Sequence, residues 1–265
     1  MMPEPGSVGD AERALSCLDL TDLGDRATEE DAVRLCAAAV APRRVAAVCL
    51  WPRFVTTAKR SLAGSGVKVA TVANFPSGEE RPGKVQDAIR KMLDDGADEI
   101  DLVIPYRRLI AGRPRTVTAL LRLARALIPA RRLLKVILET GEYPNTVLIR
   151  DAARRAIGEG ADFLKTSTGK TAHSATPEAA RLLLEAARAE GRRSVGVKIS
   201  GGVRSLADAT AYLAIADEIM GPAWVKPSHF RFGASSLRDA LLAALGAQAP
   251  DAGAMRQTGV TRHAY

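Results

Sequence analysis

The sequence predicts an α/β chain folded as a single (β/α)8 TIM barrel. Three observations carry that prediction. Eight short apolar runs alternate with amphipathic stretches of helical length along 265 residues, the pattern of repeated strand–helix units. The joint Gly-Ala-Asp appears twice just before such a run, at Gly96-Ala97-Asp98 and Gly160-Ala161-Asp162, where a helix C-terminus hands over to a strand. No low-complexity linker breaks the series, and eight units of this size fill one barrel domain. The alternative is an open doubly wound sheet. That fold would favour a GxGxxG turn after the first strand, and the sequence has none.

The strands are expected at Cys17–Thr21, Ala46–Trp51, Val67–Phe75, Glu99–Pro105, Leu133–Thr140, Asp162–Thr168, Val195–Ser200 and Phe230–Ala234. Helix starts are marked by caps. Thr28 is followed by Glu29, Glu30 and Asp31, which suit a first turn. Thr176 precedes Pro177 at a first helical position, with Gly191 as the stop. Ser205 precedes Leu206 to Met220, and Gly221 closes that helix. Residues 1–13 are expected as an N-terminal segment and 14–246 as the barrel. Residues 247–265 are expected as a C-terminal tail, Ala-, Gly- and polar-rich as suits a flexible end.

Composition narrows the function. Aromatic residues are only 4%, so Ala, Val, Leu and Ile must build the core. The formal charge of +8 suits either a solvated Arg-rich surface or a site for anions. Nucleic acid is disfavoured, because no basic run is interleaved with aromatics. Cys17, Cys36 and Cys49 are odd in number and lack CxxC spacing, which argues for a reducing compartment. The first ten residues lack the basic start and apolar centre of a secretion signal. No run is long and apolar enough to span a membrane. Cytoplasm, without a membrane partner, is the expectation. His173, His229 and His263 have no metal-ligand spacing, so no metal site is expected.

Alternation along the strands selects the chemistry. In Val195–Ser200 the odd positions suit the helix layer, which turns Lys198 inward with Gly196 and Ser200. In Glu99–Pro105, Ile100, Leu102 and Ile104 share one face, which turns Asp101 inward. Lys165 sits mid-strand in Asp162–Thr168, where alternation is less clean. Lysine is almost never buried without a partner or a task. Two lysines in one pocket suit a nucleophile, because a neighbouring ammonium and desolvation both lower a lysine pKa. Bringing it from about 10.4 to about 7 requires roughly 4–5 kcal/mol. A structural salt-bridge network of Lys198, Asp101 and Lys135 is the competing reading.

A second signal is anion binding. Gly201-Gly202-Val203-Arg204 follows the seventh strand, and Gly233-Ala234-Ser235-Ser236 follows the eighth. Barrel enzymes often hold phosphate in those two loops, on backbone N–H groups. Gly169-Lys170 after the sixth strand could add charge.

Four stretches together resemble the deoxyribose-phosphate aldolase family: Asp98-Glu99-Ile100-Asp101-Leu102-Val103-Ile104-Pro105-Tyr106-Arg107, Leu134–Glu142, Phe163–Lys170 and Arg231–Leu237. The resemblance runs from about Leu15 to Leu245. It implies a cofactor-free, metal-free Schiff-base aldolase of deoxyribonucleotide catabolism. Its substrate would be 2-deoxy-D-ribose 5-phosphate, cleaved reversibly to acetaldehyde and D-glyceraldehyde 3-phosphate. By that match Lys165 is the Schiff-base lysine, Lys198 the lysine that perturbs it, and Asp101 the proton relay. Tyr265 matches a terminal tyrosine of one branch, which would close over the site and assist proton transfer. Asp19, Thr21, Cys49, Lys135, Thr168, Gly169, Lys170, Gly201, Gly202, Val203, Arg204, Gly233, Ser235 and Ser236 are the implied substrate-binding positions. For Cys49 a small core residue remains the plainer reading. Where many members read Lys-Pro-Ala-Gly-Gly, this chain reads Lys198-Ile199-Ser200-Gly201-Gly202, which bears on the loop and on substrate preference. A barrel aldolase of another phosphorylated sugar or keto acid, and a basic scaffold protein, are the alternatives. A homodimer is compatible with an apolar strip on the outer helices.

Overall fold

Each predicted run becomes a strand, and in the computed structural model all eight pair in parallel, in chain order, to close a (β/α)8 barrel. The structure describes residues 6–189 and 195–247. The chain runs α1 (Val8–Ser16), β1 (Leu18–Asp22), α2 (Glu29–Val40), β2 (Ala47–Leu50), α3 (Val55–Ser61), β3 (Lys68–Ala73) and α4 (Pro82–Asp94). It continues β4 (Glu99–Val103), α5 (Tyr106–Ile110), α6 (Pro114–Leu127), β5 (Leu133–Ile137), α7 (Thr146–Gly158), β6 (Phe163–Lys165) and α8 (Pro177–Ala189). It closes with β7 (Gly196–Ser200), α9 (Leu206–Met220), β8 (Phe230–Ala234) and α10 (Leu237–Ala244). No helix among the described residues is long and apolar enough to cross a membrane.

The caps form as read. Thr28 and Asp31 make a reciprocal capping box, as do Ser205 and Asp208. Thr176 Oγ1 accepts from the N–H of Ala179 at 3.1 Å. Gly96 and Gly160 take φ of 99° and 89°, the left-handed region that stops a helix. Gly191 lies outside the described residues. Residues 8–13 of the expected N-terminal segment open α1, whose Ala11, Ala14 and Leu15 are buried. Arg13 of this helix donates twice to Asp217 of α9, at 3.0 and 2.5 Å. The predicted strands run past the observed ends at β4, β5 and β6, because the chain leaves the ladder at the C-terminal mouth. At β5 the break falls where Glu139 turns to φ 59°.

Two packing layers follow from the period of two. Outward residues such as Val48, Ile100, Leu134, Val197 and Phe230 join the helices in the main core. Inward, β2 and β3 contribute a small apolar group, Cys49, Ala70 and Val72, closed by Trp51 and Phe75. The remaining interior is charged. Its floor is Phe163, whose ring fills the space left by Gly196. A Cβ at that glycine would stand 2.4 Å from the ring. The guanidinium of Arg231 stacks 5.7 Å from the same ring's centroid.

Gly196→Ala should therefore overpack the interior and cost about 1–3 kcal/mol. Urea unfolding of the variant against the parent measures it, and an unchanged midpoint would show that the Phe163 ring is free to move.

Candidate active site

Alternation brings seven charged side chains into the barrel: Asp19 from β1, Glu99 and Asp101 from β4, Lys135 from β5, Lys165 from β6, Lys198 from β7 and Arg231 from β8. None is more than 4% exposed. Register places them side by side, with Asp101 opposite Lys135, Lys165 opposite Lys198, and Lys198 opposite Arg231.

Asp101 is the hub. Its Oδ2 accepts from Lys165 Nζ and Lys198 Nζ, both at 2.8 Å, and its Oδ1 accepts from Lys135 Nζ at 2.9 Å. Asp19 Oδ1 accepts from Arg231 at 2.5 Å. Lys198 Nζ lies 2.6 Å from Asp19 Oδ2. That contact is an ion pair without hydrogen-bond geometry, since Asp19 Oδ2 has no hydrogen-bond donor. Glu99 accepts from Arg231 at 2.9 Å and also from Lys135.

Four basic groups thus face three carboxylates. A buried unmatched charge is expensive, so one lysine is pressed to give up its proton. Lys135 touches three carboxylates and Lys198 two, whereas Lys165 touches only an Asp101 oxygen that it shares. The titration behaviour follows. Burial opposes charge on Lys198, but Asp101 and Asp19 outweigh it and hold its pKa well above the ordinary lysine value. Lys135 is raised as well, because Asp101, Glu99 and Asp19 together overcome its burial. For Lys165 burial wins. Asp101 opposes it, the ammonium of Lys198 reinforces it, and the pKa falls below the ordinary value. Burial would raise Asp101, but Lys135, Lys165 and Lys198 hold it well below the usual carboxylate range.

At the C-terminal mouth lies a cavity of about 380 Å³. Its walls are the loops after β6, β7 and β8: Thr168 to Lys170, Gly201 to Arg204, and Gly233 to Ser236. Thr21 closes it from β1. Gly201 and Gly202 take φ of 87° and 84°, so their backbone geometry favours glycine. Gly233 joins cavity and network. A Cβ there would meet Lys198 Cε and Ser200 Oγ, each at 2.8 Å. Lys170 Nζ reaches across the mouth to Asp25 at 3.2 Å, and Arg204 is exposed. Backbone donors beside two cations suit an anionic group.

A family model described as DeoC/LacD family aldolase matches residues 13–243. The chain belongs to the DeoC/LacD aldolase family. Solved structures agree with that placement. A Toxoplasma gondii ME49 chain assigned as a deoxyribose-phosphate aldolase is 29% identical, covering 90% of this chain and 96% of that one, with a TM-score of 0.83. A Coccidioides immitis chain with the same assignment is 28% identical over 89% of this chain and 85% of that one, TM-score 0.75. The Aeropyrum pernix deoxyribose phosphate aldolase, described as tetrameric, is 27% identical over 88% and 90%, TM-score 0.70. The resemblance read from the four motifs is thereby upheld, and this chain is an aldolase of that family.

In this DeoC/LacD aldolase the structure gathers Lys165, Lys198, Asp101 and Asp19 as the sequence expects. The expected anion-loop positions line one cavity. Lys135 is fully buried and paired with Asp19, Glu99 and Asp101; like Lys165, Lys198, Asp101 and Asp19, it is not part of the cavity wall. Cys49 packs with Leu23, Ala70 and Val72, and burial pushes its thiol up, as befits a core residue. Tyr265 lies outside the described residues. Glu99 and Arg231 were missed. The signal was present, since Glu99 shares the inward face with Asp101, and Arg231 alternates with Phe230 and Phe232.

Arg231→Met would leave Glu99 with Lys135 alone and take from Asp19 its hydrogen-bond donor. A loss of about 3–5 kcal/mol is expected for breaking such a buried group, read by denaturant unfolding at pH 7. A loss below about 1 kcal/mol would place the ion pair in the class of exposed ones.

Proposed function

We propose that this aldolase cleaves 2-deoxy-D-ribose 5-phosphate reversibly to acetaldehyde and D-glyceraldehyde 3-phosphate, through a Schiff base on Lys165, in deoxyribonucleotide catabolism. The observation that carries the reading is Lys165 itself. It is a buried lysine whose pKa is depressed, 2.8 Å from a carboxylate it shares with a second lysine. An amine must be neutral to attack a carbonyl, and Lys165 is the one lysine of this network whose pKa lies below the ordinary value.

The chemistry follows from that state. The neutral Nζ of Lys165 adds to C1 of the open-chain sugar, and loss of water with uptake of one proton from solvent, returned at the final hydrolysis, gives a protonated imine. The phosphate, held by the Gly201–Arg204 and Gly233–Ser236 loops, orients the chain. The 3-hydroxyl gives up its proton as the C2–C3 bond breaks, and the bonding electrons pass into the imine. D-glyceraldehyde 3-phosphate leaves. Asp101 accepts that proton through a water, with Lys198 stabilising the carboxylate. The remaining enamine takes a proton at carbon, the role the resemblance gives to Tyr265, and hydrolysis releases acetaldehyde and neutral Lys165. Family membership supports the aldol class, while the cavity and the named relatives support the phosphorylated deoxy sugar.

Borohydride reduction in the presence of acetaldehyde or deoxyribose 5-phosphate should fix an adduct on Lys165, located by mass spectrometry of the digest. Lys165→Ala should abolish turnover and leave phosphate binding. An adduct on Lys198 would exchange the lysine roles, and folded protein with no adduct would overturn the reading. Pyruvate or dihydroxyacetone outperforming acetaldehyde as donor would move the substrate to another sugar class.

Lys198→Met tests the electrostatics. The ammonium of Lys198 lowers the Lys165 pKa, and its removal also leaves Asp101 Oδ2 undivided for Lys165, which raises it. The pH midpoint of borohydride trapping should therefore move upward, with about a tenfold loss of trapping rate at pH 7 for each pH unit of displacement. An unmoved midpoint would mean that burial alone sets the Lys165 pKa.

A further inference from the structure

Just beyond β5, Glu139 combines two features that rarely meet. Its side chain is fully buried, and its backbone sits at φ 59°, ψ 58°, the left-handed region. Only Asn74 shares a positive φ among the described non-glycine residues, and Asn tolerates that region better than most. A glutamate held there needs a compensating contact.

The contact is a grip on the loop after β6. Both carboxylate oxygens of Glu139 accept from the backbone N–H of Thr168, at 3.2 and 3.3 Å. Oε1 also accepts from Thr171 Oγ1 at 3.4 Å. The flanking residues act on the same chain by backbone alone. Leu138 N–H donates to the carbonyl of Lys165, and Thr140 N–H to that of Thr166, both at 2.9 Å. The division of labour is plain. Backbone bonds hold the Lys165 end of the segment, and the Glu139 side chain holds the Thr168 end. Thr168 Oγ1 in turn accepts from the N–H of Lys170 at 3.0 Å, so the carboxylate sets the turn that presents Gly169 and Lys170 to the cavity.

We infer that Glu139 is a positioning residue for substrate phosphate: it fixes the Thr168–Lys170 turn in the shape that completes the anion cavity. The inference rests on the proposed phosphate site. Its left-handed backbone aims the side chain across to β6, and a residue of ordinary φ at that point would turn the carboxylate elsewhere. The role is geometric. A negative charge near the cavity does not itself attract phosphate, so an uncharged acceptor of the same shape should serve.

The test compares Glu139→Gln with Glu139→Gly. Glycine is at ease with φ 59°, so that variant removes the grip without adding backbone strain. Inorganic phosphate affinity, read by calorimetric titration, should fall about tenfold or more in Glu139→Gly and stay within about threefold of the parent in Glu139→Gln. The ratio of kcat/KM for deoxyribose 5-phosphate to that for unphosphorylated 2-deoxyribose should fall in parallel in the glycine variant. Equal losses on both sugars, or phosphate binding undisturbed in Glu139→Gly, would overturn the inference. Tighter phosphate binding in Glu139→Gln would also overturn it, since it would make the charge, and not the shape, decisive. A parent protein that binds phosphate but fails to trap acetaldehyde would sink the Schiff-base reading alone. A parent that does not bind phosphate would remove both.

Discussion

The interior of this barrel depends on Asp101 being shared. One carboxylate answers three lysines, and the share each receives decides its protonation. Lys135 and Lys198 supplement Asp101 with Glu99 or Asp19, whereas Lys165 has nothing further. The interior holds one carboxylate fewer than basic groups, and that deficit falls on Lys165, the lysine with the fewest contacts. Arg231 creates that deficit from below. Its guanidinium stays charged and occupies Asp19 and Glu99, which would otherwise be free to hold a third ammonium.

The fold makes such a network tolerable. Parallel strands with period-two side chains give each strand an outer face for the apolar core and an inner face for chemistry. Here β2 and β3 turn small apolar residues inward, while β1 and β4 to β8 supply the charge. The polarity of the interior is thus split between two sectors. Phe163 seals the floor, in a space that Gly196 leaves open. With each carboxylate held by at least one donor, Coulomb interactions inside are far stronger than in water, and burial together with the Lys198 ammonium turns the Lys165 pKa downward against Asp101.

Much of this was legible from alternation alone. The eight strands, the inward turn of Lys198 and Asp101, and the capping residues follow from local pattern. Lys165 was harder, because β6 is only three residues long and Leu164 and Phe163 are both apolar. Its place needed the register with Lys198. Glu99 and Arg231 were on the inward face by the same rule, but a charged residue at a strand's N-terminal end reads equally well as solvated. Only closure of the barrel brings β8 beside β1 and within reach of β4. The possible network of Lys198, Asp101 and Lys135 was readable from sequence, but the number of partners each group meets was not. Glu139 had no local signal at all. Its φ and its bond to Thr168 depend on two strands meeting across 29 residues.

The arrangement along β6, β7 and β8 explains why nucleophile and anion site belong together. Each strand carries one basic group inside the barrel and one anion loop at its end: Lys165 before Thr168–Lys170, Lys198 before Gly201–Arg204, and Arg231 before Gly233–Ser236. The separation is two to three residues each time, about 7–10 Å at full extension. A span of that order is compatible with the proposed short sugar phosphate. Because each anion loop continues directly from a strand that carries a basic group, covalent geometry and barrel hydrogen bonds limit how far apart the two can stand. The loop positions, including the turn held by Glu139, refine how tightly the far end is held.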